Sequence, residues 1–167
     1  MWQRFEHGAR LSIPFVTVFV CTLLSIVAWP LPHFGMVAPP LALMAIYYWT
    51  VHRPDLLGPG LTFLIGLLND TVHFLPLGLS ALVFVGAHEV ILRQRRFFAG
   101  HSFFMLWSGF ILTILGVMLT EWLLLCVIRF QIIPIMSALM QTALAIVFFP
   151  LPCWIFIRLQ RLTVTQI

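Results

Sequence analysis

Long apolar runs, broken by brief polar or proline–glycine punctuation, fill almost the whole chain. Crossing about 30 Å of hydrocarbon takes about 20 helical residues, with a lower limit near 17. The candidate spans are 11–29, 37–51, 56–75, 77–92, 103–128 and 135–157. The pattern therefore predicts an all-α integral membrane protein, a bundle of about six transmembrane helices forming one domain over 1–167. The second and fourth runs are short; local bilayer thinning or flanking aromatic anchors would accommodate them. Tyr47, Tyr48 and Trp49 stand where such an anchor is expected, at the end of the second run. Pro30, Pro32 and Gly35 separate runs one and two, and Arg53-Pro54 separates two and three. Pro76 and Gly78 separate three and four, Gly100 lies between four and five, and Pro134 opens the sixth. Pro150 and Pro152 each remove a backbone donor, so the sixth helix should kink or end there.

Composition agrees with lipid as the solvent. Hydrophobic residues make up 62% of the chain and charged residues 8%, too few to cover a soluble domain. All nine basic residues are arginine, and they sit at the ends of apolar runs. The net charge of +4 is thus a topology signal, not a nucleic-acid signal. With the N-terminus inside, Arg4, Arg10, Arg53, Arg93, Arg95, Arg96, Arg158 and Arg161 fall on the cytoplasmic side, and Arg129 alone falls outside. Both termini are then cytoplasmic, and no nucleic acid is expected as a partner. A five-span layout without the second run loses this asymmetry. The first run is too long for a signal-peptide core, and Trp29-Pro30 is not a small-residue cleavage site, so a retained span is expected. Cys21, Cys126 and Cys153 show neither metal spacing nor a disulfide framework.

Two kinds of position stand out. In the fifth run Gly109, Thr113, Gly116 and Thr120 recur at i, i+4, i+7 and i+11 and share one helix face. Small residues allow close backbone approach, and the threonines can hydrogen-bond across such a contact. That face serves either packing inside the bundle or docking of another membrane protein. In the sixth run Ser137, Gln141 and Ala145 form a second small or polar stripe.

Ionisable groups at membrane depth are functional candidates. Asp70, late in the third run, has His73 three residues on, and Glu121 and Arg129 belong to the same side of the membrane. A polar cluster of Asp70, His73, Glu121 and Arg129 is expected there. Its carboxylates serve as a structural ion pair or helix cap, a partner contact, or a proton-linked site; the spacing gives little support to a metal. Glu89 lies four residues before Arg93, the favourable order for a helical ion pair. His88 and His101 read as interfacial residues without a nucleophile partner. No motif for a nucleophile elbow, P-loop or dinucleotide site occurs, so no catalytic residue, cofactor or enzyme activity is expected.

The segment Arg53-Pro54, Gly60, Gly66-Leu67-Leu68-Asn69-Asp70 and Pro76-Leu77-Gly78-Leu79-Ser80-Ala81-Leu82 resembles the bacterial rod shape-determining MreD family. The Pro39-Pro40 opening of the second run and the short loops fit as well. By that resemblance Arg53, Pro54, Gly66, Asp70, Pro76 and Gly78 are motif positions. The resemblance implies a non-enzymatic inner-membrane scaffold of the cell-elongation, peptidoglycan-synthesising machinery. It further implies partnership with MreC, the glycosyltransferase RodA, a penicillin-binding transpeptidase and, directly or not, the MreB filament. The family also looks similar in fold to the substrate-binding subunits of energy-coupling-factor transporters, so a vitamin-type transporter subunit is the alternative. Anionic lipid is a further expected contact of the basic turn Arg93, Arg95 and Arg96, and a homo-oligomer is compatible with the sequence.

Overall fold

The computed structural model describes residues 16–25, 29–31, 35–37, 39–98, 103–131 and 134–164, with the backbone alone for 29–31, 35–37, 96–98 and 159–164. Arg4, Arg10, Glu6, Gly100 and His101 lie outside these residues, and for Arg96 and Arg161 only the backbone is described.

Seven helices follow one another along the described chain. They are α1 (16–24), α2 (Leu41–His52), α3 (Pro59–Val72), α4 (Leu79–Phe98), α5 (Phe103–Arg129), α6 (Ile135–Phe148) and α7 (Pro150–Val164). Between α1 and α2 the chain doubles back as a two-stranded antiparallel ribbon. Its strands are β1 (Trp29–Leu31) and β2 (Gly35–Val37), with Pro30 opposite Met36. The ribbon is a small departure from an all-helical expectation. It falls where Pro30 leaves no donor to continue a helix.

Prolines set most of the boundaries. Pro40 precedes the first turn of α2, and Met44 N–H bonds back to its carbonyl at 3.2 Å. Arg53 ends α2 in a non-helical conformation (φ −143°, ψ 67°), because the ring of Pro54 disfavours helical geometry in the residue before it. Pro59 starts α3 at the first helical position, where a missing N–H costs nothing. Pro134 precedes α6. The run 135–157 is two helices, not one: α6 and α7 meet at a bend of 43° between Phe148 and Pro150.

That bend shows how an apolar chain tolerates proline. Pro150 has no N–H to give to the Ile146 carbonyl four residues earlier. The indole Nε1–H of Trp107, on α5, donates to that carbonyl instead at 3.1 Å. A freed backbone group in a water-poor interior is thereby paired, as it must be. Next to the bend, Phe149 stacks on Phe110 of α5 with ring centroids 4.1 Å apart, and Tyr47 of α2 meets both rings edge-on. The Tyr47 hydroxyl donates to the Leu106 carbonyl at 2.9 Å.

α2 is the axis of the bundle. Every residue from Ala42 to Val51 is buried, and α3, α4, α5 and α7 all pack against it. A helix apolar on all sides belongs in such a place. The expectation that Tyr47, Tyr48 and Trp49 anchor a span at the membrane interface is therefore corrected. They are at most 2% exposed and belong to the core. Among the described helices α5 alone is long and apolar enough to cross a membrane unaided, and α6 with α7 passes the same test as one bent unit. α5 shows an outward apolar stripe of Leu112, Leu115, Leu119, Leu123 and Val127.

Candidate functional site

The residues from 53 to 82 build a tight helical hairpin, α3–α4. At its centre the helices touch backbone to backbone. A Cβ placed on Gly66 would lie 2.2 Å from the Ala81 Cα and 2.6 Å from its nitrogen. Only glycine permits this approach. One turn further along α3, the pair Asn69-Asp70 closes the hairpin. Asp70 is fully buried, and its carboxylate accepts two backbone N–H groups: Gly78 to Oδ2 at 2.8 Å and Ser80 to Oδ1 at 2.9 Å. Asn69 donates through Nδ2 to the Ser80 hydroxyl at 3.1 Å.

The chemistry explains the spacing. The first N–H groups of a helix have no partner within it, and the N-terminus carries partial positive charge. Gly78, immediately before α4, has φ +96°, a conformation suited to glycine. It has no side chain with which to cap, so the carboxylate comes from eight residues earlier. Pro76 accepts the Leu79 N–H and completes the turn. Asp70 is thus a helix-capping carboxylate, the first of the roles the sequence leaves open.

The rest of the expected polar cluster is looser. Glu121 continues the inward stripe Phe110, Ile114 and Val117 of α5 and is half-buried. His73 ends α3, with Nδ1 donating to the Asn69 carbonyl at 3.0 Å. Arg129 is exposed and, among the described residues, joins none of these carboxylates in an ion pair. Also among the described residues, no three His, Cys, Asp or Glu side chains gather as a metal site would require.

At the other end of the hairpin, Arg53 is exposed and Pro54 half-buried, followed by a turn closed by Leu56 N–H on the Arg53 carbonyl at 3.2 Å. Leu57 is buried, and its carbonyl accepts the Nε2–H of His88 at 2.8 Å. His88, expected at an interface, is instead 1% exposed and pins this loop to α4. Neither the sequence pattern of His88-Glu89 nor its position in the run signals this, because the partner is a carbonyl thirty-one residues away. Glu89 and Arg93 do not form the expected ion pair; both are exposed.

A lateral groove of about 280 Å³ runs between α4 and α5. Gly86 and Gly116 line it, and neither would meet an atom within 4 Å if given a Cβ. The predicted small-residue face of α5 is therefore divided. Gly109 is buried and Thr113 half-buried, whereas Gly116 and Thr120 are exposed. Both threonine hydroxyls donate to their own helix, Thr113 to the Gly109 carbonyl at 2.9 Å and Thr120 to the Gly116 carbonyl at 2.7 Å. Their donor capacity is spent locally, not across a contact. In the second stripe Ser137 is exposed and Ala145 buried.

No curated protein and no solved structure matches the chain. A family model described as rod shape-determining protein MreD matches residues 7–162, which takes in α1 to α6, the whole α3–α4 hairpin and all but the last two residues of α7. The chain with the capped hairpin and the open groove belongs to the MreD family of rod shape-determining proteins.

Proposed function

We propose that this chain is a multi-pass inner-membrane scaffold of the cell-elongation complex, without enzymatic activity of its own. In this reading six spans cross the bilayer with both termini cytoplasmic, α6 and α7 together forming the last. The scaffold binds MreC and, through it or beside it, brings RodA and its penicillin-binding transpeptidase into register with MreB filaments. Family membership supports the cell-shape role. The observation that carries the docking surface is Gly116, open on the side of α5 with nothing above it. Small residues let a second helix backbone come close where lipid tails offer no hydrophobic advantage. The face that docks is the outer half, Gly116 and Thr120, since Gly109 is already covered.

The α3–α4 hairpin is the rigid frame of this scaffold, and its buried motif residues Gly66 and Asp70 act inside the chain. Both oxygens of Asp70 are taken by backbone donors, which favours a structural frame over a transporter's ligand pocket. The test is co-purification of MreC from membranes in mild detergent. Gly116→Leu should reduce recovered MreC at least tenfold while the chain itself stays monodisperse. Full recovery of MreC with that variant would refute this docking face.

A further inference from the structure

We propose that the α4–α5 groove holds one acyl chain of an anionic phospholipid, with the headgroup at Gln94 and Arg93. The groove's α4 wall runs from Leu82 through Val83, Gly86 and Val90 to Gln94. Twelve residues of helix advance about 18 Å, the reach of a long acyl chain. Apart from Gln94 at one end, the walls are aliphatic side chains, glycine and the threonines Thr113 and Thr120, whose hydroxyls already donate to their own helix. Such a lining suits a hydrocarbon chain.

The charge is at one end. Arg93 follows Gly86 at i+7 and Val90 at i+3, so it stands on the same stripe of α4 as the groove. It is exposed, and among the described residues no carboxylate pairs with it, Glu89 included. An unpaired guanidinium at the mouth of an apolar slot complements a phosphodiester with its tail in the slot. The occupant is thus a glycerophospholipid of the leaflet that faces Arg93. This inference concerns the protein without its partners and does not depend on the scaffold reading; a helix docked on Gly116 would displace the lipid tail from that part of the groove.

The test is native mass spectrometry of the full chain, purified without partners in mild detergent and titrated with phosphatidylglycerol or phosphatidylcholine of identical acyl chains. One phosphatidylglycerol should be retained about fivefold more tightly than phosphatidylcholine, the worth of a single basic residue near an anionic surface. Arg93→Gln should erase that preference and Arg93→Lys should keep it. Gly86→Leu and Gly116→Leu, whose side chains enter open space, should expel both lipids while the chain stays monodisperse. Equal retention of the two lipids, or a preference that survives Arg93→Gln, would overturn the proposal. So would a chain dimer, dispersed by Gly116→Leu, in place of bound lipid. Because Arg93→Gln leaves Gly116 untouched, MreC recovery with that variant separates failure of the lipid site from failure of the docking face.

Discussion

Two glycine contacts on neighbouring helix pairs meet opposite fates. Between α3 and α4, Gly66 is closed by the backbone of Ala81; between α4 and α5, Gly86 and Gly116 are open. The same residue type, at similar places in apolar helices, permits close packing in one pair and leaves a groove in the other. The difference lies in what stands beside the glycine. The hairpin has a buried carboxylate that ties one helix to the start of the next. Beside the groove, the polar groups of Thr113 and Thr120 turn back on their own helix. Polar bonds that cross between elements hold helices together in lipid, where apolar contact alone gives little advantage over lipid tails.

Substitutions at these places should separate the two regions. The largest effect is expected at Gly66→Leu, since a side chain there overlaps Ala81 main-chain atoms that cannot rotate away. It should eliminate the monodisperse species in detergent. Asp70→Ala comes next. It strands two N–H groups in a water-poor interior, at a cost of about 2–4 kcal/mol, seen as a lower thermal midpoint in detergent. Trp107→Phe orphans the Ile146 carbonyl and should cost about 1–2 kcal/mol in the same measurement. The smallest change in stability is expected for Gly116→Ala, neutral or up to about 1 kcal/mol stabilising, because alanine favours helix and meets nothing. A destabilisation by Gly116→Ala as large as that of Gly66→Ala would erase the distinction between the two helix pairs.

Much of the hairpin was legible in the sequence. Proline and glycine mark chain reversals by their own backbone chemistry, so Arg53-Pro54, Pro76 and Gly78 announced its ends. Asp70 stands out because a carboxylate in an apolar run needs a partner, and capping is among the roles that the sequence leaves open. Its actual partners were not legible, since Gly78 and Ser80 offer main-chain N–H groups that no side-chain pattern reveals. Periodicity puts Gly109, Thr113, Gly116 and Thr120 on one side of α5, but it carries no information about how far along that side a neighbour follows. The aromatic triplet of α2 misled for a related reason. Tyrosine and tryptophan at the end of a short apolar run look alike whether they meet headgroups or other helices. The bend at Pro150 was readable from the missing donor; the indole that repairs it, from another helix, was not.

The complete enclosure of α2 bears on biogenesis. Twelve residues give about 18 Å of helix, well short of the hydrocarbon thickness, and its sides are sheathed by segments synthesised after it. During translation this segment emerges before the neighbours that make its burial favourable. Handover to lipid should therefore be collective, with the segment held at the insertion machinery until later helices arrive. In nascent chains stalled once His52 has left the ribosome, a cysteine placed within this helix should remain open to a water-soluble maleimide, and in chains extended past Arg129 it should be shielded. Shielding already at the shorter length would show that this helix needs no such escort.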